Sequence, residues 1–178
     1  MINLDVIERL WNYRFLGREF LTWLWFKSED NPEGTITLPG QEPLSLEVGE
    51  KMRLEVGEGE YFQSLAVQGS HSDHQEARLG LRQGKTPEEL HLKISRDKLE
   101  WPLTLKATTL EVKGLKTNAS PALAEADDEA HFFDQMAQIE EVTEILDRLF
   151  AEFLRLRLGP EWQAQELPRL KAWLAAEV

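Results

Sequence analysis

Residues 20–26, Phe-Leu-Thr-Trp-Leu-Trp-Phe, constrain the fold of this chain more than any other stretch, because Thr22 alone interrupts their apolar side chains. A surface helix carries one apolar stripe and one polar face, whereas a helix with this sequence is apolar on nearly every side. A short strand buried on both faces has the same pattern, and periodicity alone does not separate the two. Gly17-Arg18-Glu19 before the run and Asn31-Pro32 after it favour a helix. We therefore predict a buried aromatic helix against which the rest of the chain packs, and a cofactor-binding aromatic cluster is the weaker alternative.

The length and composition are those of one folded domain. The chain has 178 residues, of which 42% are hydrophobic and 29% charged, so it is long enough for a real core without a second domain. No apolar run approaches the roughly 20 residues of a membrane span, and the N-terminus lacks the features of a signal peptide. The absence of cysteine excludes disulfides, zinc–thiolate sites and thiol catalysis. We expect a cytoplasmic protein of bacterial type, away from the membrane, with association with the nucleoid as one alternative.

The first half of the chain predicts one helix and then a series of strands. Apolar residues at helical spacing predict an amphipathic helix over 4–11. After a polar linker at 28–34, four runs separated by Gly and Pro alternate polar and apolar residues, which is typical of antiparallel strands joined by hairpins. Gly49-Glu50 is interpreted as a two-residue hairpin turn. The four predicted strands are 35–38, 44–48, 51–56 and 61–67.

The middle of the chain is interpreted as mixed structure. Residues 69–76 are polar and predict a loop, and 77–82 predict another strand. Thr86-Pro87-Glu88-Glu89 has the capping hydroxyl, the proline and the acidic first turn of a helix start. Two further strands, 101–107 and 109–116, follow from their period of two.

The last third predicts one long helix over 127–158, in which apolar residues keep helical spacing for roughly eight turns. Asp127 and Asp128 are interpreted as favourable charges at its N-terminus, and Gly159-Pro160 ends it. A short helix interrupted by Pro168 follows. The predicted fold is α+β, an antiparallel β-sheet of six or seven strands packed against the aromatic-rich helix and the long C-terminal helix. Residues 1–158 form one domain and residues 159–178 a short helical tail.

No pattern of residues supports catalysis. One cluster has residues of metal-ligand type, His71, Asp73, His74 and Glu76, and a polar loop explains it better than a zinc site, because no third histidine is near. Acidic pairs are numerous but expected in so acidic a chain, and no carboxylate signature of two-metal chemistry is present. The phosphate-binding, serine-hydrolase and zinc-peptidase motifs are also absent. We expect no enzyme activity, no cofactor and no metal, and keep a metal-dependent nuclease as a third hypothesis.

Charge is distributed unevenly along the chain. The formal net charge is −12, which argues against a nonspecific nucleic-acid coat. Residues 78–116 nevertheless carry nine basic against five acidic side chains. If these basic side chains share one face they can contact phosphates, and the alternative is an ordinary solvated surface. The candidate DNA-binding residues are Arg78, Arg82, Lys85, Lys93, Lys106, Lys113 and Lys116.

The C-terminal end of the long helix predicts a second contact surface. Phe150, Phe153, Leu154, Leu156 and Leu158 place apolar side chains on more than one side of the helix. Packing on the sheet accounts for only one of these sides. We therefore expect either the C-terminal tail or another subunit to cover the other.

Residues 16–29, Leu-Gly-Arg-Glu-Phe-Leu-Thr-Trp-Leu-Trp-Phe-Lys-Ser-Glu, resemble the start of the C-terminal half of the RdgC-like recombination-associated proteins. The order of the following segments is similar to that family: an Arg-containing strand at 77–82, a helix opened by Thr86-Pro87-Glu88-Glu89-Leu90, and a Trp-containing strand pair at 99–116. A long helix with an acidic cap comes last. The resemblance covers 16–158 and depends on order and local pattern rather than on one diagnostic motif.

The resemblance implies a nonenzymatic protein that binds duplex DNA. RdgC-like proteins form ring-shaped dimers that restrain RecA-type recombinases, and their total charge can be acidic while the lining of the ring is basic. The N-terminal half of that family has no counterpart in this chain, so a ring would need its other half from elsewhere. The expected partners are duplex DNA, and either a second copy or a separate chain similar to the missing half.

Two functions follow as expectations. The first is an RdgC-like protein that binds the DNA backbone and modulates recombination. The alternative is a protein-interaction subunit that oligomerises or pairs with a separate chain through its C-terminal helices. The first requires that the basic side chains of 78–116 lie along a single surface.

Overall fold

The computed structural model describes residues 14–31, 33–57, 63–68, 71–118 and 127–176. Six strands lie in this part of the chain: β1 Thr35–Ile36, β2 Leu44–Val56, β3 Gln63–Gln68, β4 Thr86–Arg96, β5 Leu99–Lys106 and β6 Val112–Lys113. The helices are α1 Arg14–Glu29, α2 His71–Arg82, α3 Asp128–Leu158 and α4 Leu167–Ala175, with a π-helical segment at Trp162–Glu166. The predicted α+β class is confirmed. The predicted helix over 4–11 lies outside the described residues.

The strands form one antiparallel sheet in the order β1-β2-β4-β5-β6. β3 also pairs with β2, along Lys51 to Val56, while β1 pairs with its beginning at Leu44 and Ser45. Because β4 occupies the other side of β2, β1 and β3 lie end to end along one edge. The long strands β2, β4 and β5 are the centre of the sheet.

The core lies between one face of this sheet and the helices. Leu90, Leu92 and Ile94 of β4 alternate with polar residues and are completely buried. The aromatic helix α1 packs against β2 and β4, and Trp23 and Trp25 are almost fully buried in it. The sequence-based prediction of a buried aromatic helix is thus confirmed.

Gly17 allows α1 to approach the sheet closely. A Cβ atom at this position would lie 1.8 Å from the carbonyl oxygen of Ala107, directly after β5. The glycine lies inside α1 and does not separate two helices. Any side chain there would push α1 away from the residues that it covers.

The prediction of a hairpin turn at Gly49-Glu50 is wrong, because β2 runs without a turn from Leu44 to Val56. The pairing with β4 is irregular between Val48 and Met52, which marks a bulge. A Cβ atom on Gly49 would lie 2.1 Å from Nδ1 of His91. The glycine leaves room for this close approach of a side chain from β4, and it does not form a turn.

Two further predictions are wrong, the loop at 69–76 and the strand at 77–82, because His71–Arg82 is the helix α2. His74, Ala77 and Leu81, three and four residues apart, face inward, which is a helical period that the short window of 77–82 did not reveal. Gly84 ends the helix with φ +88°, and its backbone N–H donates to the carbonyl of Leu81.

The helix predicted to begin at Thr86-Pro87-Glu88-Glu89 is the strand β4. The period of two in the following residues, with three buried side chains, outweighs the local capping pattern. Pro87 lies at the second residue of the strand, close to its start, where a proline is best tolerated. The predicted strands 35–38 and 109–116 are shorter than expected, at Thr35–Ile36 and Val112–Lys113.

The long helix is confirmed. Asp127 is its N-cap and accepts a hydrogen bond of 2.9 Å from the backbone N–H of Ala130, and Asp128 lies in the first turn. Pro168 does not interrupt the last helix. It occupies the first turn of α4, where the missing N–H costs little. Among the described residues, no helix combines the length and the apolar character needed to cross a bilayer.

Candidate interaction surface

The long helix α3 has a covered half and an uncovered half. Its buried residues all lie at or after position 138: Gln138, Val142, Ile145, Leu146, Leu149 and Phe153. The first ten residues, 128–137, contain no buried side chain. The helix therefore packs on the sheet and on α1 only from Gln138 onward, and we call 128–137 its uncovered half and the longer part, 138–158, its covered half.

Four large apolar side chains are exposed near the start of α3. Phe132 and Phe133 are 58% and 61% exposed, and Met136 and Ile139 are 43% and 41% exposed. The rings of Phe132 and Phe133 contact each other edge to face, with centroids 5.8 Å apart. We call Phe132, Phe133, Met136 and Ile139 the apolar stripe.

The apolar stripe continues into a groove. Three of its members and three later residues of α3 are spaced alternately by four and three positions, which keeps them on one side of a helix: Phe132, Met136, Ile139, Thr143, Leu146 and Phe150. The last three line a groove of about 130 Å³ between α3 and the β5–β6 edge of the sheet. Val112 of β6 is 37% exposed there. An uncovered surface thus joins the helix start to the edge of the core.

The same part of α3 is strongly acidic. Residues 127–147 contain eight carboxylates and neither lysine nor arginine. Two of the eight have a basic partner among the described ion pairs, Glu141 with Arg96 and Glu144 with Arg148. The apolar stripe is consequently flanked by side chains that are mostly negative in formal charge.

Gln138 marks the boundary between the two halves. Its side chain is 2% exposed and accepts a 2.9 Å hydrogen bond from the indole N–H of Trp101. Its amide donates to the carbonyl of Asn118 at 2.7 Å and to Asp134 at 2.9 Å. This buried polar group holds α3 to β5 at the point where the covered half begins.

The C-terminal end of α3, where the sequence predicted a second contact surface, is covered by the chain itself at Phe153, whereas Leu158, the last residue of the helix, is 81% exposed. The ring of Phe153 lies 5.5 Å from Phe20, 5.8 Å from Trp23 and 5.9 Å from Trp162. Trp162 belongs to the tail, so of the two coverings expected, the tail is the one observed. The uncovered surface lies at the opposite end of the same helix, where the sequence-based reasoning did not place one.

Polar contacts also tie the tail to α1. Glu166 is 6% exposed and accepts from the indole N–H of Trp23 at 3.0 Å and from Lys27 at 2.9 Å. At the end of α3, just before the tail, Arg157 donates to Glu19 of α1 at 2.7 Å, and this hydrogen bond raises the pKa of Arg157. Residues 159–176 therefore extend the core formed by the preceding elements.

Of the seven candidate DNA-binding residues, Arg78 and Arg82 contact α4. Arg78 is 6% exposed, donates to the carbonyl of Trp173 and lies 4.9 Å from the centre of its ring. Burial lowers the pKa of Arg78, and Glu29, 3.8 Å away, opposes that effect. Arg82 donates to the carbonyls at the end of α4, those of Leu174 and Ala176. Both arginines neutralise the C-terminus of a helix of their own chain.

Three other candidates, Lys93, Lys106 and Lys113, lie on the face of the sheet opposite α1, which we call the open face. Lys93 contacts its cross-strand neighbour Glu47 at 2.7 Å, and this hydrogen bond raises the pKa of Lys93. Lys106 lies 3.7 Å from Glu111. The neighbouring Lys106 lowers the pKa of Lys113, as does desolvation. Acidic and basic side chains alternate on the open face.

The two remaining candidates lie in turns or loops. The Lys85 side chain donates to Gln83 at 3.2 Å in the turn after α2, and Lys116 lies beyond β6 and is exposed. The seven residues therefore do not form one continuous basic surface. The structure brings together Arg78 with Arg82, and separately Lys106 with Lys113.

The predicted loop histidines belong to α2. His74 lies 3.3 Å from the carbonyl oxygen of Gly49 and 3.9 Å from Glu29. Within the described ranges, no group of three or more His, Cys, Asp or Glu residues could hold a metal ion. The side chain of His71 lies outside the described residues.

No family model, no curated protein and no solved structure matches this chain. Two of the segments that resemble RdgC-like proteins also differ from the expected structure, since 77–82 is helical and 86–90 is part of a strand. The resemblance therefore stays a hypothesis that depends on 16–29 and on the order of the later elements.

Proposed function

We propose that this chain is a nonenzymatic interaction subunit that binds a partner chain through the apolar stripe of α3 and the adjoining groove. The observation that carries the proposal is the exposure of four large apolar side chains, between 41% and 61%, on one continuous part of the surface. Contiguous exposed apolar patches on folded proteins are typically contact sites. Aromatic residues contribute most to the binding free energy at such sites.

Burial of the stripe would stabilise a complex appreciably. At about 25 cal/mol per Å² of apolar surface, covering the exposed parts of four large side chains contributes on the order of a few kcal/mol. These side chains are already ordered on a long helix, because α3 is held at Gln138 and along its covered half. Binding therefore requires little ordering of this chain.

The test is site-specific photocrosslinking in the native cells. A photoreactive phenylalanine analogue replaces Phe132, and the control carries it at Ala66, which is exposed on β3, at the edge of the sheet opposite the groove. We expect one crosslinked protein from position 132 that is absent from position 66. It should disappear when Met136→Ser and Ile139→Ser are added. A crosslinked product common to both positions, or none at position 132, contradicts the proposal.

A second candidate is binding of the DNA backbone by the open face, as the RdgC-like resemblance implies. The observation that favours it is the position of two lysines on adjacent strands of the open face: Lys113 of β6 pairs with Thr104 of β5, two residues from Lys106 on the same side of the sheet. A phosphate placed between them would relieve their repulsion. Against it, Glu89 and Glu111 lie within 4 Å of Lys106.

The DNA hypothesis predicts binding of a short duplex at low salt that falls steeply as salt is added. Lys106→Glu with Lys113→Glu should abolish the binding, whereas Lys98→Glu with Lys171→Glu, an equal change of charge elsewhere, should weaken it far less. Fluorescence anisotropy of a labelled duplex measures both. Equal losses in the two double variants would indicate a general charge effect without a site on the open face.

A further inference from the structure

The charge around the apolar stripe restricts the chemistry of the partner. We propose that the occupant of the stripe and groove is a basic amphipathic helix of another chain, an inference that rests on the proposed function above. Its apolar side would lie against Phe132, Met136 and Ile139. Its lysines or arginines would lie against the carboxylates that flank them.

The acidic flanks are the first argument. Eight carboxylates and no lysine or arginine occupy 127–147, and Glu140 and Asp147 are exposed beside the stripe and the groove. Around an apolar contact that excludes water, each of these charges is screened less than on a free surface. A partner with positive charges at its rim is therefore favoured, and a neutral or acidic partner is not.

The same charges argue against a second copy of this chain. In a twofold pairing of α3 with itself, each apolar stripe would cover the other, and the acidic flanks of both copies would meet. Like charges across an interface are destabilising. Residues 127–147 contain no lysine or arginine to offset them, and the following Arg148 already pairs with Glu144.

The spacing of the residues that form the stripe and the groove argues for a helix. Positions 132, 136, 139, 143, 146 and 150 alternate by four and three, the spacing that matches a second helix lying alongside. They extend over about 27 Å of α3 at 1.5 Å per residue. The groove beside Val112 continues the same line to the edge of the sheet. An amphipathic helix of about five turns fits this length.

The experiment uses the full chain and three labelled 18-residue peptides of defined design. The first is an amphipathic helix of leucine and lysine, the second replaces every lysine by glutamate, and the third has the lysine composition in scrambled order. Fluorescence anisotropy gives the Kd of each at low and at high salt. We expect the first peptide to bind at least about tenfold more tightly than either of the others, a difference of about 1.4 kcal/mol.

Two variants locate the binding. Phe132→Ser with Met136→Ser should weaken the lysine peptide at least about tenfold, since it removes the aromatic anchor. Glu140→Gln with Asp147→Asn should weaken it about fivefold at low salt and little at high salt. Glu42→Gln with Glu76→Gln removes the same charge from other exposed positions and should change the Kd less than twofold.

The outcomes separate this inference from the proposed function. Equal binding of the lysine and glutamate peptides, or of the lysine peptide and its scrambled form, overturns the basic helix. The basic helix is also overturned if the chain sediments as a dimer and Phe132→Ser with Met136→Ser dissociates that dimer. In that case the stripe is still a contact surface, but its occupant is a second copy of this chain. Absence of a crosslink at position 132 defeats the proposed function, whatever the peptides do.

Discussion

The two halves of α3 contain similar apolar residues and have opposite surroundings. In the second half, Phe153 lies among the rings of Phe20, Trp23 and Trp162 and is completely buried. In the first half, Phe133 contacts the ring of Phe132, and both are more than half exposed. The residue types do not account for the difference. It arises because α1 and the tail reach one end of the helix, whereas the other end extends beyond them.

The comparison shows how a single helix can contribute both to the fold and to binding. The covered half fixes the position and direction of α3 through buried contacts with the sheet and α1. The uncovered half then presents apolar side chains that are ordered before any partner arrives. A surface held in this way loses less conformational entropy on binding than a flexible segment with the same residues.

The largest expected effect comes from deleting one phenylalanine in each half. Phe153→Ala should lower the free energy of unfolding by about 3–5 kcal/mol, because it removes a fully buried ring and leaves a cavity. Phe133→Ala is the matched control, the same substitution on the same helix, and should change it by no more than about 0.5 kcal/mol. Urea unfolding followed by circular dichroism measures both.

A different result for the control would change the interpretation of the stripe. If Phe133→Ala costs as much as Phe153→Ala, the stripe is covered by this chain itself. Residues 1–13, for which the sequence predicts an amphipathic helix over 4–11, would then be the first segment to test. Both the docking surface and the basic partner would lose their physical basis.

The sequence predicted the parts of the fold that have a long and unambiguous period. The aromatic run gave α1 because its apolar side chains surround the helix, and the acidic cap with eight turns of helical spacing gave α3. The middle of the chain was less predictable. Thr86-Pro87-Glu88-Glu89 has a valid capping pattern, but β4 lies at the centre of the sheet, where burial of Leu90, Leu92 and Ile94 decides the structure.

The candidate surface could be predicted only in part. The excess of basic residues in 78–116 was a feature of the sequence, but α2 turns Arg78 and Arg82 toward the tail, a contact between residues more than ninety positions apart. The apolar stripe was visible as the spacing of Phe132, Met136 and Ile139. Its exposure was not, because the sequence does not show where the sheet beneath a helix ends.

The boundary between the halves is the second place to test the comparison. Gln138→Leu should cost about 1–3 kcal/mol, because the indole N–H of Trp101 and the carbonyl of Asn118 both lose their described partner. Gln135→Leu introduces the same side chain three residues earlier, at an exposed position. It should change stability by no more than about 0.5 kcal/mol. If Gln138→Leu and Gln135→Leu lower the free energy of unfolding equally, the covered half begins nearer the start of the helix than Gln138.

The smallest effect is expected at the free end of the helix. Asp127 accepts a hydrogen bond from the backbone N–H of Ala130, so Asp127→Ala should cost about 1 kcal/mol. Asp127→Asn keeps the accepting oxygen and removes the charge, and should cost only a few tenths of a kcal/mol. Because the uncovered half is held by few tertiary contacts, loss of the cap should increase amide hydrogen exchange at 128–137 more than in the covered half. If the exchange rate instead increases equally along all of α3, the two halves unfold as one unit. Contacts other than those of Gln138 would then stabilise the uncovered half.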